Sequence, residues 1–207
     1  MNSETIEYLK TLPGGLWSTD EKKNRLYELV LQCATEFPNT ELLSVELGIY
    51  SGVSLFCLGK AHVDLNNGFA VGVDNWRNAD CLDGNLSEAD KKWWAETDLD
   101  AIYRTFKGAM TNPLWFAKTS YIRDNTIGAE RHFKDNTITL LHQDATHSKE
   151  SIVEELKGWS VKIRIGGYWI IDDTNWASAI EGYAKLPEFG FELVEQLETW
   201  AIYKKVK

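Results

Sequence analysis

The sequence lacks several features that would place it in common classes of protein. It has no apolar run near the roughly 18 residues that a membrane-spanning helix needs, so no membrane partner is expected. Its first seven residues are polar and acidic, which does not fit a secretory signal. Its three cysteines form neither an even disulfide set nor a CxxC metal pair. Together these absences favour a reducing, cytoplasmic location.

Positive charge is also scarce. The chain has 22 Lys and Arg against 31 Asp and Glu, which gives a formal net charge of −9. Proteins that bind nucleic acid or anionic membranes need clustered Lys and Arg, so neither partner is expected. The 43% hydrophobic content, with 12% aromatic residues, excludes a disordered chain. A length of 207 residues favours one domain with a sizeable core.

The hydrophobic pattern alternates between strand and helix after two N-terminal helices in residues 1–40. The predicted strands are 43–47, 69–73, 115–122, 137–142, 167–171, 191–194 and 199–203, and the predicted later helices are 51–61, 98–110, 126–133, one that begins after Ser148, and 175–186. This pattern predicts a single α/β domain over 1–207, with a mostly parallel sheet covered by helices on both faces. Residues 75–110 fit the pattern only loosely and are predicted to form an insertion or lid over the acceptor.

The ends of the predicted strands carry most of the candidate functional residues. In open parallel sheets, ligands bind beyond the carboxyl ends of the strands. Asp74 and Asp144 each end one strand, and Asp172 and Asp173 end another. The loop from Glu46 to Gly52 follows the first strand. We therefore expect the site at this edge of the sheet.

The first strand leads into a glycine-containing loop, Glu46-Leu47-Gly48-Ile49-Tyr50-Ser51-Gly52-Val53-Ser54. Gly48 and Gly52 allow a tight turn and a close approach of backbone to ligand. The N–H groups at the start of the next helix can hold an anionic group, and Asp74 can accept bonds from a ribose diol. The alternative is that both are ordinary turn glycines. The spacing is not GxGxxG, which argues against an NAD(P) oxidoreductase.

This loop resembles motif I of class I S-adenosylmethionine (SAM) dependent methyltransferases, which has the form E/D-x-G-x-x-x-G-x-S. The resemblance implies a Rossmann-like fold, a seven-stranded sheet with an antiparallel last strand, and SAM as cofactor. It also implies that SAM is bound by Glu46, Gly48, Tyr50, Ser51, Gly52, Ser54 and Asp74. Asp74 matches the acidic residue that binds the SAM ribose. Trp76 would lie against the adenine, or else it is an ordinary packing aromatic.

The second half is similar to one branch of that family, which includes macrolide-sugar O-methyltransferases. Residues 122–148 resemble "S-x-E-A … F-x-D-x-S-I-D-L-L-H-I-D-G-x-H-S-Y-E", and residues 156–173 resemble "L-x-x-W … G-G-x-x-x-x-D-D". The branch implies methyl transfer to a hydroxyl of a small molecule, a sugar first and a phenolic diol second, with Asn125 and Thr126 on the adenine side. The chain departs from this pattern at Thr126, where Ser is usual, at Gln143, where Ile is common, and at Ala145 and Thr146, where Gly and Asp are usual.

Three carboxylates, those of Asp144, Asp172 and Asp173, end two strands that should be neighbours. Without a counter-charge they would repel one another, and a hard cation such as Mg²⁺ would remove that problem. The branch includes a metal-dependent set with Asp at these positions. The alternative is that Asp172 and Asp173 cap the following helix.

His147 lies three residues after Asp144, and the two form the candidate catalytic pair. With a pKa near neutrality, His147 could take the proton of the acceptor hydroxyl. The alternative is a residue at the start of a helix, or a partner of the metal-binding Asp. His142 is expected in the core, whereas His62 and His132 are expected at the surface.

Two rival functions stay open. One is a non-catalytic module that binds SAM or a nucleoside and works through protein partners. The other is an NAD(P) oxidoreductase. For the methyltransferase, the expected partner is a small-molecule acceptor, and the assembly is left open between a monomer and a homo-oligomer.

Overall fold

A computed structural model describes residues 1–82 and 87–207. Its strands are β1 Leu43–Leu47, β2 Phe69–Val73, β3 Thr119–Ile122, β4 Ile138–Gln143, β5 Ile163–Ile171, β6 Phe191–Gln196 and β7 Ala201–Lys205. They form one seven-stranded sheet in the order β3-β2-β1-β4-β5-β7-β6. Strands β1 to β5 pair in parallel, and β7 pairs antiparallel with β5 and β6. The predicted α/β sheet, mostly parallel with an antiparallel last strand, is confirmed.

Helices connect the strands, and several of them begin at side-chain caps that the sequence supplies. They are α1 Ser3–Lys10, α2 Asp20–Glu36, α3 Val53–Leu65, α4 Asn78–Cys81, α5 Glu88–Glu96, α6 Leu99–Met110, α7 Thr126–Ala129, α8 Lys149–Trp159 and α9 Ala177–Tyr183. Thr19, Asp98 and Ser148 each accept a hydrogen bond from a backbone N–H three residues later. Such caps satisfy donors that the first helical turn leaves open. No helix in the described ranges is long and apolar enough to cross a bilayer.

The sheet separates two hydrophobic cores. Strand β4 lies at its centre and all six of its residues are buried, as expected for a parallel strand covered on both faces. On one face, Trp115 stacks on Phe56 with 4.4 Å between ring centroids. On the other face, Trp159 of α8 and Trp169 of β5 are fully buried in the same core. These cores fix the strand ends relative to one another.

Several local predictions differ from the structure. The strand predicted from residue 115 begins only at Thr119, because Phe116–Lys118 form a 3-10 turn that places Trp115 in the core. Residues 88–96, which lie in the predicted insertion and for which no helix is predicted, form α5. The helix predicted over 126–133 is one kinked turn followed by a 3-10 turn. Residues 83–86 of the predicted lid lie outside the described residues.

The prediction that His62 is at the surface was wrong. Its side chain is buried because this side of α3 packs against the sheet. Nε2 lies 2.9 Å from Ser44 Oγ and Nδ1 lies 2.7 Å from the carbonyl oxygen of Asn67. Burial lowers the pKa of His62 to about 4, so this ring is neutral and structural.

Candidate functional site

The strand register places the predicted site residues at one edge of the sheet. Leu47 at the end of β1 pairs with the last residues of β2 and β4, and the end of β4 pairs with the end of β5. The residues that follow these paired positions are Gly48, Asp74, Asp144 and Asp172. The predicted convergence of the strand ends is therefore confirmed.

The glycine loop has a backbone that only small residues adopt without strain. Gly48 and Gly52 have φ of +83° and +94°. A Cβ on Gly48 would overlap the carbonyl oxygen of Asp144. Gly52 begins α3, so the loop delivers the helix N-terminus to the sheet edge. The turn alone thus requires both glycines, and their contact with SAM stays a prediction.

Asp74 holds this loop from the neighbouring strand. Its Oδ2 accepts the backbone N–H groups of Ile49 at 2.8 Å and Tyr50 at 2.9 Å, and its Oδ1 accepts that of Trp76 at 2.7 Å. Burial raises the pKa of Asp74, while these N–H groups oppose the rise. A carboxylate has about four acceptor positions, and the backbone N–H groups of Ile49, Tyr50, Asn75 and Trp76 compete for them.

Trp76 is only 4% exposed and packs in an aromatic cluster. Its ring centroid lies 4.6 Å from Tyr103 and 5.2 Å from Phe106. Its indole N–H donates to the carbonyl oxygen of Tyr50 at 2.8 Å. These contacts favour the alternative interpretation of Trp76, a packing aromatic that supports the loop.

The other predicted loop residues face different partners. Tyr50 has φ of +51°, and its ring stacks on Trp17 at 5.0 Å. The hydroxyl of Ser51 donates to the carbonyl oxygen of Pro13, so it ties the loop to the α1–α2 connection. Ser54 is buried in the first turn of α3.

Glu46 and His142 form a buried pair beneath the loop. Glu46 Oε1 lies 3.0 Å from His142 Nδ1, while Glu46 Oε2 has no hydrogen-bond partner in the described residues. Burial raises the pKa of Glu46 well above its usual range and lowers that of His142 well below its own. Both groups therefore favour their neutral forms. His142 lies in the core, as predicted.

Asp144, His147 and Asp173 converge at the ends of β4 and β5. His147 Nε2 lies 2.7 Å from Asp173 Oδ2 and 4.0 Å from Asp144 Oδ1. Burial lowers the pKa of His147, but the bond to Asp173 and the charge of Asp144 outweigh it, so its pKa is raised. The ring also packs on Trp176 at 4.8 Å. This arrangement fixes the orientation of the imidazole.

Asp172 has a partner that the sequence reasoning missed. Lys22, in the first turn of α2, is buried and its ammonium forms an ion pair with Asp172 Oδ2. Asp172 Oδ1 accepts the backbone N–H of Asp173 at 3.0 Å. A signal was present: Lys22 lies four residues before Leu26 and eleven before Cys33, on the apolar face of α2.

The described residues fit a hard cation only in part. Ligand atoms of Asp144, His147 and Asp173 lie within 4.8 Å of one another. Ligand atoms of His142, Asp144 and Asp172 also lie within 4.8 Å of one another, but in that group the predicted third carboxylate, that of Asp172, is paired with Lys22. The carboxylates that remain for a cation are those of Asp144 and Asp173, and their oxygens are the kind of ligand that a hard divalent ion prefers.

The two residues predicted to lie beside the adenine, Asn125 and Thr126, have different surroundings. Asn125 lines an open cleft of roughly 520 Å³, together with Asn75, Arg77, Asp80, Arg123 and Asp124. Thr126 faces inward, where its hydroxyl donates to the buried carboxylate of Glu155. The departure at Ala145 is accommodated, because this residue does not adopt a positive φ.

The comparisons with known proteins agree with this arrangement. A family model described as "Methyltransferase domain" matches residues 45–174, which is more than half of the chain. The chain belongs to this family. It is a SAM-dependent methyltransferase, and the oxidoreductase alternative has no support. No curated protein sequence matches the chain.

Solved structures with low sequence identity share the fold of this methyltransferase. The O-methyltransferase NovP is 15% identical with a TM-score of 0.65, over 90% of this chain and 80% of that one. A putative caffeoyl-CoA O-methyltransferase from Staphylococcus aureus is 11% identical with a TM-score of 0.65, over 99% and 93%. CalS11, a TDP-rhamnose 3′-O-methyltransferase, is 13% identical with a TM-score of 0.55, over 98% and 93%.

Glu155 gives this methyltransferase a pH-dependent stability. Burial raises the pKa of Glu155 to about 7, although Thr126 and Gln143 donate to it. The native state then keeps a proton that the unfolded state loses between about pH 4.5 and pH 7, so stability falls as pH rises through this window. The full fall is about 3 kcal/mol.

We expect Glu155→Gln to remove most of this fall, because the amide is neutral at every pH, its oxygen can accept from Gln143 and its NH2 group can donate to the Thr126 hydroxyl. Urea unfolding at a series of pH values measures the effect. Glu154→Gln is the matched control, since Glu154 is exposed and paired with Lys157. An unchanged pH slope in Glu155→Gln would show that this carboxyl is not the source.

Proposed function

We propose that this methyltransferase transfers the methyl group of SAM to a hydroxyl oxygen of a small molecule. The observation that carries the proposal is the row of strand ends. The glycine loop and Asp74 lie at one end of it, and Asp144, His147 and Asp173 lie at the other. In this order, the residues proposed to bind the nucleoside lie apart from the residues proposed to accept a proton.

The charge of the edge suits the methyl donor. SAM carries a sulfonium cation, and carboxylates at Asp74, Asp144 and Asp173 favour a positive ligand over a neutral one. When bound, SAM supplies an electrophilic methyl carbon. The oxygen–carbon bond forms as the carbon–sulfur bond breaks, so much of the rate depends on alignment in one line.

His147 is the proposed base for the hydroxyl proton. Asp173 orients the ring at 2.7 Å, and the raised pKa of His147 makes its neutral form a stronger proton acceptor. The carboxylates on either side stabilise the imidazolium that forms when the proton arrives. Asp144, 4.0 Å away, belongs to the same unit.

Assistance by Mg²⁺ or another hard divalent cation is part of the proposal. Asp144 and Asp173 are the carboxylates that would hold it, with His147 beside them. A cation there would polarise the acceptor oxygen and favour its deprotonated form.

A patch of aromatic side chains supports an acceptor that contains a ring. Trp17, which is 64% exposed, stacks on Tyr50 of the glycine loop and lies 5.5 Å from Trp93 of α5. Trp93 lies 4.7 Å from Trp94. Aromatic faces bind the apolar faces of sugars and the rings of phenols. The name of CalS11, a TDP-rhamnose 3′-O-methyltransferase, supports a sugar as the first choice of acceptor, and that of the putative caffeoyl-CoA O-methyltransferase supports a phenolic diol as the second.

The cellular setting and organisation remain parts of the proposal. The free cysteines Cys33, Cys57 and Cys81 support a reducing, cytoplasmic location. The net charge of −9 supports a small-molecule partner over nucleic acid or membrane. A single domain, a lid in residues 75–110 and the choice between monomer and homo-oligomer stay predictions.

We expect His147→Gln to lower methyl transfer by at least about 100-fold and to leave SAM affinity within about twofold, because the base acts only on the acceptor. Calorimetry measures SAM binding, and transfer of labelled methyl to sugar nucleotides and catechols measures turnover. His132→Gln, at an exposed histidine, is the control. Full turnover in His147→Gln would exclude this base. SAM binding by the wild-type protein without transfer to any hydroxyl would indicate a non-catalytic module.

We expect Trp17→Ala to raise KM for the acceptor by about tenfold, because an exposed stacking face is lost, with a much smaller change in kcat. Steady-state kinetics with the best acceptor measures the change. Leu16→Ala removes a neighbouring exposed side chain and serves as the control. An unchanged KM in Trp17→Ala would place the acceptor elsewhere.

A further inference from the structure

Lys22 is a buried cation at the acidic edge of the sheet. It is 7% exposed, and its ammonium pairs with the carboxylate of Asp172, which lies 150 residues later in the chain. Burial lowers the pKa of Lys22, and the nearby carboxylates of Asp144 and Asp173 oppose that shift. Burial of a lysine is costly unless its charge is paired, so the fold specifies a positive charge at this point.

The neighbouring lysine shows that this placement is particular to Lys22. Lys23 is also buried, but its ammonium donates to the carbonyl oxygen of Ser18 and lies 3.8 Å from Asp20. Lys23 therefore stabilises the start of α2, and its ammonium faces Ser18 and Asp20 instead of the carboxylates at the edge of the sheet. Two adjacent lysines of equal size thus have different electrostatic environments.

The pair changes what Asp172 can do. One oxygen of Asp172 faces the Lys22 ammonium and the other accepts the backbone N–H of Asp173. A divalent cation at this carboxylate would have to displace the ammonium and overcome its repulsion. Asp144 and Asp173 are not paired with a lysine or arginine in the described residues, so they stay open to a cation.

We propose that Lys22 is a built-in counter-charge that keeps Asp172 out of divalent metal coordination. The metal site of this chain is then limited to Asp144 and Asp173 beside His147, and it is weak. This inference extends the proposed function. The role of the metal in catalysis rests on that proposed function. It also makes α2 part of the site, because Lys22 of α2 and a divalent cation would compete for the carboxylate of Asp172.

The test is the affinity for Mn²⁺ alone, measured by the electron paramagnetic resonance signal of free Mn²⁺ without SAM or acceptor. We expect Lys22→Met to bind Mn²⁺ at least about tenfold more tightly than the wild-type protein, because Asp172 is released and one positive charge is removed. Lys23→Met should match the wild type. Affinity in Lys22→Met that stays within about twofold of the wild type would overturn the proposal.

Asp172→Asn in the wild-type background tests the same point without removing the lysine. We expect its Mn²⁺ affinity to stay within about twofold of the wild type, because Asp172 is not a ligand while Lys22 holds it. A loss of about tenfold would show that Asp172 already binds the metal, and it would overturn the proposal. Thermal melting checks that each variant is folded.

The two proposals fail in distinguishable ways. Calorimetry of SAM on the same proteins tests the methyltransferase site separately from Mn²⁺. An absence of SAM binding with the predicted Mn²⁺ pattern would remove the proposed reaction and leave the role of Lys22. Normal SAM binding and methyl transfer with the opposite Mn²⁺ pattern would remove only the role of Lys22.

Discussion

Several acidic groups are crowded at one edge of the parallel sheet, and the rest of the structure has to accommodate them. The strand register brings Asp74, Asp144, Asp172 and Asp173 into one row, with Glu46 buried beneath it. A different contact accommodates each of these acidic groups. Asp74 accepts backbone N–H groups, Glu46 pairs with a neutral histidine, Asp172 pairs with a lysine, and Asp173 contacts His147.

The proposed function depends on the acidic groups and the histidine that these contacts leave available to a ligand. Asp74 accepts backbone N–H groups of the glycine loop, so this aspartate and the loop, which form the proposed nucleoside-binding half, act as one unit. Asp144 and Asp173 lie beside a histidine whose pKa is raised. A cationic methyl donor and a proton acceptor are thus favoured next to each other.

Local patterns in the sequence predicted the part of this site that depends on strand ends. Glycine spacing, apolar strands and the aspartates after them are short-range signals, and the sheet then aligns them. The contacts of Lys22 and Trp17 could not be predicted, because they join residues of the N-terminal segment to strand ends and loops far along the chain. The burial of Trp76 and His62 likewise depends on how α3 and α6 pack.

The structure of the protein crystallised with SAM tests this account most directly. We expect the nucleoside at the carboxyl ends of β1 and β2, the adenine toward the cleft lined by Asn125, and the sulfonium methyl facing Asp144 and His147. A donor bound away from these strand ends, or a methyl group directed away from His147, would contradict it.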